Sequence, residues 1–212
     1  MEEPVSVEVA AGPVLEGRLY LPQEARAGLV LCHPHPLYGG DMDNPVVVRC
    51  AEVAQEAGIA TLRFNFRGVG ASTGTHDEGR GERNDAESAL AALARRLRSD
   101  RPVALLGYSF GARVAAGLAA SGGRLPGLGL VAPPLAMGAI DDIPRGPELL
   151  MAAGDRDPYC PAADLEALAA RHGTRARIVP GAEHFFFGKL YPLGEIVSAW
   201  LGRWAVDAAA RG

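Results

Sequence analysis

Six short, apolar-rich stretches punctuate this chain: Leu29–Cys32, Ile59–Phe64, Val103–Leu106, Leu128–Val131, Leu149–Ala152 and Ala176–Val179. Each is too short for a helix and lacks the alternation of a strand wetted on one face. Each therefore reads as a strand, with Leu29–Cys32 and Ile59–Phe64 buried on both faces. Segments of helical period lie between them. Asn44-Pro45 opens one that runs from Val46 to Ala57 and stops at Gly58. Glu82–Ser99 puts Ala86, Leu90, Leu93 and Leu97 on one face, and Ala112–Ala120, Ala162–Arg171 and Gly194–Ala209 follow. Covered strands alternating with helices leave few architectures open. They predict parallel strand–helix–strand units, built into a three-layer α/β sandwich around a mostly parallel central sheet. Ahead of them, Val5–Val9 and Val14–Leu21 alternate roughly across Ala11-Gly12-Pro13, which predicts an antiparallel hairpin. Neither an internal repeat nor a low-complexity linker divides the chain, so one domain is expected over residues 1–212.

In such a sheet, ligands bind beyond the carboxyl ends of the strands. After Val103–Leu106 the chain reads Gly107-Tyr108-Ser109-Phe110-Gly111 and then enters a helix. G-x-S-x-G in a strand–turn–helix setting holds its serine on a sharp, strained turn. Glycines two before and two after let strand and helix approach without Cβ clashes. The following helix start places positive dipole beside any developing oxyanion. Ser109 is the candidate nucleophile.

A serine hydroxyl needs a base within reach. Of the five histidines, His172 stands at a helix end before Gly173, and His76 reads as solvated in a polar loop. His33 and His35 follow the first covered strand. His184 follows the last one and precedes Phe185, Phe186 and Phe187, an apolar wall that keeps an imidazole neutral and able to take a proton. The acid is expected from a loop between nucleophile and base. Asp155 and Asp157, in Ala153-Gly154-Asp155-Arg156-Asp157-Pro158, both qualify, and the residues alone do not separate them.

These features resemble the α/β-hydrolase superfamily across almost the whole chain. More narrowly, His33-Pro34-His35-Pro36…Gly39-Gly40, Asn65-Phe66-Arg67-Gly68-Val69-Gly70 and His184-Phe185-Phe186-Phe187-Gly188 are similar to a group of small bacterial hydrolases, loosely dienelactone-hydrolase-like and acyl-peptidase-like. The resemblance implies a catalytic triad. Its acid stands three residues after a glycine that ends the strand, which selects Asp157. It also implies an oxyanion hole made by the backbone N–H of Phe110 and one from the loop after the first covered strand. Prolines have no N–H to give, so Pro34 and Pro36 are excluded. His35 is the matching position, with Leu37 or Tyr38 as alternatives.

Only seventeen residues, Ala132 to Glu148, separate Leu128–Val131 from the next strand. That is too short for a helical cap domain. An α/β-hydrolase fold without a cap is therefore expected, with an open apolar site lined by Tyr38, Phe110, Pro133, Leu135, Met137 and Phe185. The expected activity is that of a carboxylesterase-like serine hydrolase on small esters, thioesters or lactones. Two alternatives are a catalytically weak hydrolase-fold binding protein and an acyl transferase.

The remaining features exclude other classes. Lys189 is the only lysine, which weakens Schiff-base mechanisms, and the net charge of −4 argues against a nucleic-acid surface. His33 and His35 with Asp41 and Asp43 could supply four metal ligands, but prolines restrict the loop and no third histidine is near, so no metal and no cofactor are expected. Gly68, Gly70 and Gly74 lack P-loop spacing and read as a tight crossover turn. Glu82 and Asp85 read as first-turn helix charges, and Trp200, Leu201 and Trp204 as core. No apolar run approaches a membrane span. Three scattered cysteines and an N-terminus without a basic-then-apolar pattern suggest the cytoplasm. The expected partner is a small acyl substrate, with no nucleic acid or membrane; monomer and homodimer both stay open.

Overall fold

A computed structural model describes residues 1–122, 124–140 and 143–209, with side chains described to residue 205. The strands are β1 (Glu3–Glu8), β2 (Val14–Tyr20), β3 (Gly28–Cys32), β4 (Ala60–Phe64), β5 (Val103–Tyr108), β6 (Gly127–Val131), β7 (Glu148–Gly154) and β8 (Arg177–Val179). The helices are α1 (Pro45–Glu56), α2 (Arg80–Ala94), α3 (Phe110–Ala120), α4 (Ala162–Arg171) and α5 (Leu190–Ala209). One sheet holds the strands in the order β1-β2-β4-β3-β5-β6-β7-β8. The hairpin β1–β2 is antiparallel and adds onto β4 antiparallel, while β4, β3 and β5 through β8 are parallel.

Right-handed crossovers dictate the layers. The chain steps from β3 to β4 in one direction, then reverses over β3 to β5 and continues to β8. α1 thus lies on one face, and α2, α3 and α4 on the other. α5 returns to pack on α1, and α2 packs on α3. Strands β3, β4 and β6 are buried along their whole length; β3 and β6 are apolar throughout, while β4 buries Thr61 and Arg63 with hydrogen-bond partners in Gln55, Glu2 and Asp43.

Local chemistry sets the ends. The Asn44 side chain accepts the Val46 N–H ahead of Pro45, starting α1. α2 starts two residues earlier than its apolar pattern and stops at Ala94, five residues short of Ser99. Leu97 still packs on the core from the turn beyond the helix. The buried stripe Trp200, Leu201 and Trp204 fits against Gly127, where a Cβ would stand 2.9–3.0 Å from the two indoles.

The turn from Arg67 to Gly79 departs from the sequence reading. Glu82 is a first-turn charge of α2, as expected, but both it and Asp85 are fully buried. The Glu82 carboxylate accepts the N–H groups of Asp77 and Gly79, and Asp85 takes a forked pair of hydrogen bonds from the Arg67 guanidinium. Buried carboxylates persist only with such partners, so these two residues tie the glycine-rich turn to α2. Gly68, Gly70 and Gly74 have positive φ, in keeping with a tight turn. No helix among the described residues is long and apolar enough to cross a membrane.

Candidate active site

The turn after β5 is built by steric exclusion. A Cβ on Gly107 would stand 2.1 Å from the Gly111 oxygen, and one on Gly111 would stand 2.3 Å from the Cys32 oxygen. Only glycine admits those approaches, so α3 sits against the carboxyl end of β3 and β5. Between the glycines, Ser109 takes φ +55° and ψ −116°, a conformation L-residues avoid at a cost of about 1–3 kcal/mol. Its N–H donates to the Val131 oxygen at 2.9 Å, which fixes the turn onto β6.

Two further loops meet Ser109. A Cβ on Gly154, at the end of β7, would lie 2.2 Å from the Ala182 oxygen, so the loops after β7 and β8 are pressed together. Across that contact Asp157 Oδ2 lies 2.8 Å from His184 Nδ1, and His184 Nε2 lies 3.0 Å from Ser109 Oγ. An ionised carboxylate can only accept. The neutral imidazole therefore carries its proton on Nδ1 and presents a lone pair to the serine hydroxyl. All three residues are buried or nearly so. The other carboxylate oxygen of Asp157 accepts the N–H groups of Tyr159 and Cys160 at 2.8 and 2.9 Å. The Tyr108 hydroxyl donates to the His184 carbonyl, and burial raises that phenol far above its ordinary pKa. Asp155, the competing acid, turns away and accepts the Gly181 N–H.

The loop after β3 lies on the opposite side. Its first histidine is structural. His33 is fully buried, its Nε2 accepts the Phe66 N–H, and its Nδ1–H donates to the Pro34 oxygen. Desolvation holds it neutral, with a pKa lowered to about 4. Both ring nitrogens are thus engaged within the protein. Asp41 caps its own turn through the Asp43 N–H, and Asp43 pairs with Arg63.

The His35 ring packs on Phe110 at 4.8 Å and on Tyr38 at 4.7 Å. Burial first, then the neighbouring His76, lowers its pKa; its Nδ1 accepts the Leu37 N–H. The Tyr38 N–H is taken by the His35 oxygen. Of the three amides weighed as oxyanion donors on this loop, only that of His35 has no acceptor among the described residues. The N–H of Phe110, at the start of α3, likewise has none.

Three features escaped the sequence reading. His76 is not solvated: its side chain is 8% exposed, its Nδ1 lies 2.9 Å from Glu82 Oε1, and its ring lies 5.0 Å from His35 and 5.5 Å from Phe110. The burial of Glu82 was the missing signal. Tyr159 packs edge-on against His184 at 4.8 Å. The three phenylalanines do not form one wall, because Phe186 is buried with φ +54° while Phe185 and Phe187 are exposed. Of the other lining candidates, Tyr38 and Met137 are exposed, Leu135 is half-buried and Pro133 is buried.

A family model of an alpha/beta hydrolase domain matches residues 25–190. An uncharacterized protein of Rickettsia prowazekii is 32% identical over 203 residues, covering 88% of this chain and 84% of that protein. A crystal structure of a lidless α/β serine hydrolase from Xanthomonas campestris is 30% identical with a TM-score of 0.84, covering 96% of this chain and 94% of that one. An α/β serine hydrolase homologue from Coxiella burnetii is 32% identical with a TM-score of 0.80, covering 93% and 96%.

Proposed function

Since the chain belongs to the alpha/beta hydrolase family, we propose that it is a carboxylesterase-like serine hydrolase that works through an acyl-enzyme on Ser109. The relay from Asp157 through His184 to a serine held at φ +55° carries this reading.

Ser109 Oγ attacks the ester carbonyl while His184 Nε2 takes its proton. Asp157 keeps the imidazole in the required tautomer and stabilises the imidazolium that forms. The open amides of Phe110 and His35, with the α3 dipole behind Phe110, receive the developing negative charge. The carbonyl re-forms, the carbon–oxygen bond to the alcohol breaks, and Nε2–H protonates the departing oxygen. Water then repeats the sequence on the acyl-serine and releases the acid. Thioesters and lactones are open to the same steps.

A fluorophosphonate probe with parallel p-nitrophenyl acetate hydrolysis tests the proposal. Wild type is expected to label and turn over, and Ser109→Ala to do neither. A folded wild type that does neither overturns the reading.

A further inference from the structure

Three exposed aromatic rings lie on the His184 side of the candidate site, while Tyr38 is exposed on the His35 side. Tyr159 and Phe185 pack edge-on against the His184 imidazole at 4.8 and 5.5 Å, yet remain 43% and 49% exposed. Phe187, 5.8 Å from Phe185, is 76% exposed. Folding accounts for their neighbour and not for them. Phe186 adopts a left-handed backbone to bury its ring, and that turn sends the flanking rings outward. Tyr159 is held by its backbone on both sides, its N–H on Asp157 Oδ1 and its oxygen on the Ala136 N–H. These rings are presented to solvent from hydrogen-bonded backbone, where chance exposure of single apolar residues would be scattered.

The chemistry says what meets them. When the tetrahedral intermediate collapses, His184 Nε2–H must come within about 2.6–3.2 Å of the departing oxygen. Groups packed on the imidazole therefore flank the leaving alcohol. The carbonyl oxygen faces the other side, toward Phe110 and His35. Resting on the hydrolase reading above, we infer that this site selects its ester by the alcohol rather than the acid, and that it takes an apolar, aromatic alcohol that lies against Tyr159 and Phe185, with Phe187 extending the surface.

Two esters that carry the same ring on opposite sides of the linkage test this: 2-phenylethyl acetate and ethyl phenylacetate, with ethyl acetate as the reference. Hydrolysis is followed by proton release, and Ser109 labelling by a fluorophosphonate is measured alongside. Placing the ring on the alcohol is expected to raise kcat/KM about tenfold or more over ethyl acetate. Placing it on the acid should give a much smaller gain. Tyr159→Ala and Phe185→Ala, both at partly exposed side chains, should shrink the alcohol-side gain through KM, with thermal melting confirming the fold. Equal or reversed preference in a protein that labels at Ser109 overturns the inference and leaves the hydrolase reading standing. An alcohol-side preference that both variants retain overturns the assignment to these rings. Absence of both labelling and turnover removes the hydrolase reading and the inference together.

Discussion

Two aspartates two positions apart meet different fates, and hydrogen bonds decide between them. Asp157 receives two backbone N–H groups on one oxygen and His184 on the other, while Asp155 receives the Gly181 N–H. Asp157→Asn is therefore expected to lower kcat by about 10⁴, because the amide favours the wrong imidazole tautomer. Asp155→Asn should cost less than tenfold, the range of a lost exposed hydrogen bond. The reverse order in kcat would reassign the acid. The residues alone left both aspartates open, since both follow a strand-ending glycine and the deciding donors are backbone amides, which no side chain marks in the sequence. His33 belongs to this scale too. Its folded pKa, about 4, lies below the ordinary value of 6.5. Between those pH values the unfolded chain binds a proton that the folded chain refuses, so its stabilising contribution is full above pH 6.5 and is lost as the pH falls toward 4. The gap corresponds to about 3 kcal/mol. Urea titrations should show wild type losing that much more stability than His33→Gln from pH 7 to 4; parallel losses would refute it.

At the level of elements, the covered strands and most helix starts were legible because they obey local rules: unbroken apolar runs, Asn44 before Pro45, and G-x-S-x-G before a helix. The misreadings arose where tertiary contacts override those rules. α2 ends early, the turn from Arg67 to Gly79 closes over Glu82 and Asp85 and takes His76 out of solvent, and Phe186 parts company with its neighbours. Glycine shows the same division. Gly111 is demanded by the Cys32 oxygen 2.3 Å from its absent Cβ, whereas Gly202, in α5, has open space around it. Gly111→Ala should cost several kcal/mol, above the roughly 1 kcal/mol of an average substitution, and weaken Ser109 labelling. Gly202→Ala should stabilise by about 0.5–1 kcal/mol through helix propensity. Chemical denaturation of the pair checks both signs, and a destabilised Gly202→Ala would contradict the packing described for α5.

Across the molecule, division of labour follows the sheet. The hairpin β1–β2 closes the β4 edge, where Glu2 and Asp43 both pair with Arg63. Of the parallel strands, β5, β7 and β8 carry the proposed reacting groups on the loops at their carboxyl ends. The connection from β6 to β7 contains only a short 3-10 turn, Leu135–Met137, among its described residues. Ser109, Asp157 and His184 follow β5, β7 and β8 in that order, and β8 is a three-residue edge strand joined to the sheet through β7. On the ribosome, the chain therefore emerges with Ser109 long before His184. A chain made as far as β6 holds Ser109 and the strands on either side of β5 but neither Asp157 nor His184, so on the proposed reading the group that takes the hydroxyl proton arrives only when the loop after β8, the last strand made, docks.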